Sequence, residues 1–270
     1  MKNKIKSEIK RVNEKIIGIV GGVGPEASNK FCEFLIKYKN SKSDQDHLVF
    51  LHYCNPKIPD RTEFILGKGD DPRPEIIKTC KVLQDAGSSF LVIPCNTAHV
   101  FLKDIQNYID IPIIDMTKVL VKKILEDYPY IRKVGILATT GSIKSGLYQE
   151  YFNSVGIETV LLSDKDQEKL VMDAVYGDKG IKSGNKIISK KKLTIAANKL
   201  MEQGVDSLIL GCTEIPLVLK QKNFLIKLLD PMEIVAKEVI NYLEEEKSEM
   251  VTTTYSFNLI NLNSYIRDVI

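Results

Sequence analysis

Apolar runs of five to seven residues alternate along this chain with longer stretches in which apolar side chains recur every three or four positions. The short runs read as buried strands and the longer ones as amphipathic helices. Their alternation marks βαβ units and a parallel sheet. Strands are predicted at 16–21, 47–52, 90–94 and 112–114, then at 131–138, 157–162, 207–211 and 224–229. Helices are predicted at 25–38, 74–86, 143–152, 167–175, 188–202 and 231–244; in the second of these Ile76, Ile77, Cys80 and Leu83 share one face. The stretch 55–73, with three prolines and several charges, is too long for a plain βα turn and reads as a lid or binding loop.

The pattern also repeats. Phe90-Leu91-Val92-Ile93-Pro94-Cys95-Asn96-Thr97 and Ser207-Leu208-Ile209-Leu210-Gly211-Cys212-Thr213-Glu214 are both apolar runs that stop at a cysteine, and the two cysteines lie 117 residues apart. Gly18-Ile19-Val20 and Gly135-Ile136-Leu137 keep that offset of 117, as do Gly24 and Gly141. Asp115 and Asp230, each closing a last strand before a helix, are 115 apart, which is a two-residue deletion. The duplication divides the chain into an N-terminal extension (1–15), a first α/β half (16–115), a second α/β half (116–229), a C-terminal helix (230–246) that can pack on the first half, and a C-terminal extension (247–270). The expected fold class is α/β: two similar domains with parallel sheets, related by pseudo-two-fold symmetry, with the active site between them. In the tail, Tyr255, Phe257 and Leu259 alternate with Ser256, Asn258 and Ile260 as a weak strand signal, and a sheet edge, a partner subunit and disorder all stay open.

Composition narrows the classes. Hydrophobic residues make up 44% and charged residues 27% of the 270, an ordinary soluble-globular balance. The net charge of +3 is spread as interleaved Lys and Glu. It points to no nucleic acid and no membrane partner. The densest basic run (Lys182, Lys186, Lys190, Lys191, Lys192) lacks interleaved aromatics and reads as a solvated helix face. Residues 1–14 carry no apolar core of a signal peptide, and the five cysteines form no CxxC pair, so free thiols in a reducing cytoplasm are expected.

The chemistry concentrates at Cys95 and Cys212. In an open α/β sheet, functional groups sit past the carboxyl ends of strands, where both cysteines fall. Small polar residues follow each one, and a helix start there would offer amides to a carboxylate and lower a thiol pKa toward neutrality. One thiol on each wall of a shared site suits moving a proton from one face of a carbon to the other. Cys32 and Cys80 read as structural, and Cys54 ends a strand without a counterpart in the repeat. Gly22, Gly24 and Ala27 satisfy G-x-G-x-x-A, but His52 and Tyr53 stand where a dinucleotide site needs an acid, so NAD is disfavoured. Gly141–Gly146 is no phosphate loop, and His47, His52 and His99 form no metal set. His99, four residues past Cys95, and Glu214, two past Cys212, are candidates to tune the thiols. Arg61 and Lys182 read by default as surface cations, with a bidentate carboxylate clamp as the functional alternative for Arg61.

Taken together, Gly21-Gly22-Val23-Gly24-Pro25, Ile58-Pro59-Asp60-Arg61-Thr62, Pro94-Cys95-Asn96-Thr97-Ala98-His99, Gly180-Ile181-Lys182-Ser183-Gly184-Asn185 and Gly211-Cys212-Thr213-Glu214 resemble the aspartate/glutamate racemase superfamily, the aspartate branch most closely. The resemblance covers roughly residues 16–245 and departs from the pattern at Val23, where Met is common. It implies a homodimeric amino-acid racemase that needs no cofactor and no metal, with Cys95 and Cys212 as acid and base. It also implies that Arg61 and Lys182 hold substrate carboxylates, and that Asn96, Thr97 and Ala98 bind substrate partly through backbone amides. Asp60, Thr62, Thr139 and Thr213 complete the expected substrate-binding set. The loop location of Arg61 further predicts that it swings in when substrate arrives. Two alternatives remain: a glutamate, broad-specificity, hydantoin or maleate-type member of the superfamily, and a silent ligand-binding homologue, against which the presence of both thiols counts.

Overall fold

The computed structural model describes residues 15–253, with side chains described to residue 245, so the strand signal at Tyr255, Phe257 and Leu259 lies outside the described residues. Two parallel sheets organise the chain. The first contains β1 (Ile17–Gly21), β2 (Phe50–Cys54) and β3 (Phe90–Val92) in the order β2-β1-β3. The second contains β4 (Lys133–Leu137), β5 (Glu158–Val160), β6 (Ser207–Leu210) and β7 (Lys227–Leu229) in the order β5-β4-β6-β7. The fold is thus the expected α/β class with two parallel sheets.

The repeat reappears in strand register. Gly18 stands opposite Leu91 and Gly135 opposite Leu208, so both members of the pair move by 117. Leu208 in turn pairs with Leu228, and its counterpart is the single bridge between Leu91 and Ile113. The strand expected at 112–114 is therefore reduced to that bridge. The strand expected at 47–52 begins three residues later and ends two later, at Phe50–Cys54. Leu48 packs into the core beside the sheet without joining the ladder, which is why the apolar run starts before the strand does.

Both faces of the inner strands β1 and β6 are covered, as strands buried at every position require. Ile17 and Ile19 of β1 face Phe31 and Leu35 of α1 (Pro25–Lys39), whereas Val20 turns to the opposite face with Ile76, Cys80 and Leu83 of α3 (Arg73–Asp85), which follows the short α2 (Arg61–Ile65). In the second sheet, Leu208 and Leu210 meet Leu193, Ala197 and Leu200 of α7 (Lys186–Met201), and Ile209 meets Tyr148 and Phe152 of α6 (Leu147–Ser154), which follows the short α5 (Thr140–Lys144). This period-two division follows from the alternation of side chains along a strand. Helix α4 (Met116–Asp127), absent from the predicted set, splits its apolar face between the sheets: Met116 and Val119 join the first core, and Leu120, Val121 and Ile124 the second. The last helix, α8 (Pro231–Thr253), returns to the first sheet and lays Met232, Val235 and Val239 among Ile17, Phe31 and Phe90. The helix expected at 167–175 includes a π-helical turn at Gln167–Met172.

The paired aspartates both cap helices. Asp115 accepts from Thr117 N and Lys118 N at 2.9 and 3.1 Å and also receives the Tyr151 hydroxyl at 2.7 Å. Asp230 accepts from Met232 N at 2.9 Å. Burial, with Glu233 adding to it, pushes the Asp230 carboxyl up to about 7. Its unfolded value is about 4. The folded state therefore holds the extra proton between those limits, and this stability is present at low pH and lost as pH rises through 7. Asp230→Asn keeps the cap and removes the charge. It should flatten the fall in melting temperature between pH 5 and 8 and stabilise the protein at pH 8 by about 2 kcal/mol. Parallel pH curves for the two proteins in thermal melts would show that Asp230 does not titrate there.

Candidate active site

The two cysteines sit just past the ends of equivalent strands. Cys95 lies beyond β3 and its carbonyl accepts from Ala98 N at 3.2 Å, opening a 3-10 turn, Asn96–Phe101. Cys212 lies beyond β6 and its carbonyl accepts from Ile215 N at 3.0 Å, ahead of the 3-10 turn Ile215–Leu217. Both are buried, with 5% and 6% of their surface exposed. Neither opens an α-helix, so the expected lowering of thiol pKa by a helix start does not hold for Cys212. Burial pushes that thiol well above its ordinary value, and the Glu214 carboxylate beside it pushes further. The Cys212 Sγ–H donates to Glu214 Oε2 at 3.0 Å.

His99 holds the backbone of Cys95 and not its sulfur: Nδ1 lies 2.9 Å from the Cys95 carbonyl and Nε2 3.3 Å from that of Ile114. Among the other thiols, Cys80 is buried and pushed up to about 12, and Cys32 is pushed up to about 11, in both cases by burial first. Cys54 is exposed at the end of β2.

Arg61 is buried at the start of a short helix. Ile58 anchors the loop in the first core, and the Asp60 carboxylate caps α2 by accepting from Thr62 N and Glu63 N at 2.8 and 3.0 Å. Arg61, the first residue of that helix, is 6% exposed and donates Nη1 to Pro59 O at 3.0 Å, while its buried Nε has no partner among the described residues. Burial opposes its charge, and Cys95, Asp60 and Tyr176 more than offset this and hold the guanidinium pKa above its ordinary value. The Arg61 side chain thus packs inward, and one oxygen of the Asp60 carboxylate is occupied by the helix cap.

Lys182 is fixed by a turn in which Ile181 N and Lys182 N donate to Ala174 O and Val175 O at 2.8 and 3.2 Å, with Ile181 buried in the second core. Its Nζ lies 3.3 Å from Glu214 Oε1, and its side chain is 30% exposed. Burial works against its charge, and Glu214, Cys212 and Cys95 outweigh that and raise its pKa despite Arg61. Both thiols, both cations and Glu214 thus share one electrostatic neighbourhood.

Around them runs a belt of hydroxyls contributed by both halves. Thr62 Oγ1 donates to Thr139 Oγ1 at 3.1 Å, and Thr97 Oγ1 lies 3.1 Å from Thr139 Oγ1 and 2.8 Å from Ser142 Oγ. Thr213 Oγ1 donates to Glu214 Oε2 at 3.3 Å. Thr62, Thr97, Thr139 and Thr213 therefore meet one another or Glu214, and Ala98 N is taken by Cys95. The exception is Asn96, whose side-chain amide is buried with neither Oδ1 nor Nδ2 bonded among the described residues. The glycine loop packs close by. Gly22, at φ +91°, would bring a Cβ to 2.3 Å from the Asn55 backbone, and Gly24 would bring one to 2.6 Å from Glu214 Oε1. A carboxylate facing Gly24 is the wrong neighbour for a pyrophosphate. Tyr148 and Tyr176 were not anticipated. Tyr148 is fully buried and feels both thiols, and Tyr176 lies near Asp60, Cys212 and Arg61 with the Lys182 ammonium 5.1 Å from its ring centre. Neither stands out in the sequence. Glu214 does, because it departs from the repeat.

Among the described residues no cluster of three or more His, Cys, Asp or Glu side chains could hold a metal ion, and no helix is long and apolar enough to cross a membrane. Residues 20–239 match the model of the Asp/Glu/Hydantoin racemase family. The chain is 25% identical to the broad specificity amino-acid racemase RacX of Bacillus subtilis over 232 residues, covering 84% of this chain and 97% of that one. It is 30% identical to a glutamate racemase of Aquifex aeolicus over 187 residues, covering 67% of this chain and 70% of that one. The solved structure of Picrophilus torridus aspartate racemase superposes with a TM-score of 0.74 at 27% identity, over 85% of this chain and 94% of that one.

Proposed function

The chain belongs to the Asp/Glu/hydantoin racemase family, and on that premise we propose that it interconverts L- and D-aspartate without a cofactor, passing the α-proton between Cys95 and Cys212. The observation that carries this reading is the pair of buried thiols at equivalent strand ends, in one cluster with Arg61 and Lys182. One sulfur takes the α-proton, the substrate flattens at Cα, and the other sulfur returns a proton to the opposite face. The α-proton of a free amino acid is far less acidic than a thiol, so the developing negative charge needs fixed cations and donors around it. Arg61 and Lys182 supply the charge. The unbonded Asn96 amide supplies donors that need no reorganisation. Two cations match the two carboxylates of aspartate, and the likeness to an aspartate racemase at 27% identity supports that choice. A homodimer in the cytoplasm is the proposed working form, its assembly open to light scattering.

One observation favours a second reading. Lys182 is already paired with Glu214, which leaves Arg61 as the less committed cation, and a site with one free cation suits a broader range of amino acids. Polarimetry on enzyme dialysed against a chelator separates the two, with L- and D-aspartate, L- and D-glutamate and L-alanine as substrates. The aspartate reading expects rotation to decay to zero with both aspartates, more slowly with the glutamates and not with alanine. Comparable decay with alanine would establish broad specificity. No decay with any substrate, restored by metal or pyridoxal phosphate, would overturn the cofactor-free racemase.

A further inference from the structure

The repeat that equates Cys95 with Cys212 breaks two residues further on, where Thr97 stands in the first half and Glu214 in the second. Thr97 is uncharged, and its hydroxyl is absorbed by Thr139 and Ser142. Glu214 is buried and holds three groups: the Cys212 thiol at 3.0 Å and the Thr213 hydroxyl at 3.3 Å on one oxygen, and the Lys182 ammonium at 3.3 Å on the other. On the other side of the site, the Arg61 guanidinium has Cys95 as the first of the groups that favour its charge. Two thiols made equivalent by duplication therefore have unlike neighbours: a carboxylate in contact with Cys212 and a guanidinium beside Cys95, with the Lys182 ammonium near both. A carboxylate that accepts an S–H bond favours the thiol over the thiolate, and a cation does the reverse.

We infer that Glu214 is a positioning residue that makes the two thiols inequivalent: the resting enzyme carries its transferable proton on Cys212, and Cys95 is the base that meets substrate first. This inference rests on the two-thiol reading above. The titratable groups facing Cys212 are Glu214, Lys182, Tyr148 of α6 and Tyr176; Glu214 is the carboxylate in contact, and Lys182 is turned onto it. In the forward step the Cα–H bond breaks as an S–H bond forms on Cys95, and the electron pair left on Cα spreads into the carboxylate. The S–H bond of Cys212 then breaks as a new C–H bond forms on the opposite face, and its electron pair stays on the Cys212 sulfur. After turnover the proton rests on Cys95 and an anion faces Glu214, the less favoured arrangement. A proton must then return to Cys212, through solvent, before the same direction can run again.

Thiol alkylation of the full chain reads this placement without turnover. Wild-type protein is treated with iodoacetamide over a range of pH, and modification of the Cys95 and Cys212 peptides is followed by mass spectrometry. The two cysteines are almost equally exposed as residues, so burial favours neither. At neutral pH Cys95 should react at least about tenfold faster than Cys212, since only the thiolate attacks. Glu214→Gln should speed Cys212 about tenfold and leave Cys95 within about twofold. Glu214→Asp, which keeps the charge, should return Cys212 toward its slow rate. Equal rates in the wild type would overturn the inference, as would a Cys212 rate unmoved by Glu214→Gln in a folded variant. Racemisation with symmetric alkylation would sink the asymmetry and spare the two-thiol reading, and asymmetric alkylation in a protein that racemises nothing would do the opposite.

Discussion

Cys95→Ala and Cys212→Ala should each lower racemisation on the order of 10³-fold or more, because in the proposed mechanism each removes the proton carrier on one face of the substrate. Folding should survive. Each sulfur lies at a strand end, with its backbone in a 3-10 turn that the side chain does not build. The cavity left by one sulfur is small, and a loss of about 1 kcal/mol is the scale to expect. The Cys212 change also frees Glu214 of its thiol contact, so that variant should show the larger change in pH dependence. Both thiols come from a single chain, and mixing the two inactive variants should restore nothing. Chiral chromatography of the reaction, beside circular dichroism of the variants, checks all three points. A single variant that keeps more than a tenth of wild-type turnover would show that its sulfur is not a proton carrier.

Arg61→Ala should raise KM and lower kcat together, with kcat/KM down about 10²–10³-fold. The guanidinium is buried and touches Pro59 O, and it lies in the field of Cys95. A charge so desolvated contributes far more than an exposed ion pair, and in the proposed mechanism it acts on both bound carboxylate and developing carbanion. Arg61→Lys should regain only part of the loss, since an ammonium lacks the planar fork that pairs with a carboxylate. Lys182→Ala should be milder, because the Lys182 ammonium is already paired with Glu214 in the free enzyme. Steady-state kinetics with both enantiomers of aspartate measure this order. A Lys182 variant more damaged than the Arg61 variant would reverse the assignment of the principal carboxylate anchor.

Much of this was legible in the sequence because duplication writes the same signal twice. The offset of 117 between Cys95 and Cys212 is also the offset between Leu91 and Leu208 in the sheet registers, so a repeat read from letters was already a statement about strand pairing. The paired aspartates announced two helix caps for the same reason. What stayed hidden depends on tertiary contact. The stretch 55–73 reads as a loop by its prolines, yet α2 forms inside it because Asp60 caps the chain just before Arg61. The spacing of Asp60 and Glu63 is a helix-start signature that such a reading passes over. Helix α4 keeps helical spacing at Met116, Val119, Leu120 and Ile124, a stripe the sequence reading passes over, and only its division between two cores needs the fold. Tyr148 and Tyr176 reach the thiols from elements far away in sequence, and spacing cannot reveal that. Glu214 was legible as a candidate to tune Cys212 from its place two residues on, and its orientation against the thiol came from the fold.

The central claim is that the proton leaving one face and the proton arriving on the other ride on different sulfurs. Running L-aspartate in heavy water and stopping the reaction within the first tenth of conversion tests it most directly, with deuterium at Cα measured separately in the two enantiomers. Two carriers predict D-aspartate that is almost fully deuterated beside recovered L-aspartate that is still protiated, since the arriving hydron comes from a sulfur already exchanged with solvent. D-aspartate that retains the original proton would mean that one group carries it across, and the two-thiol account would fall.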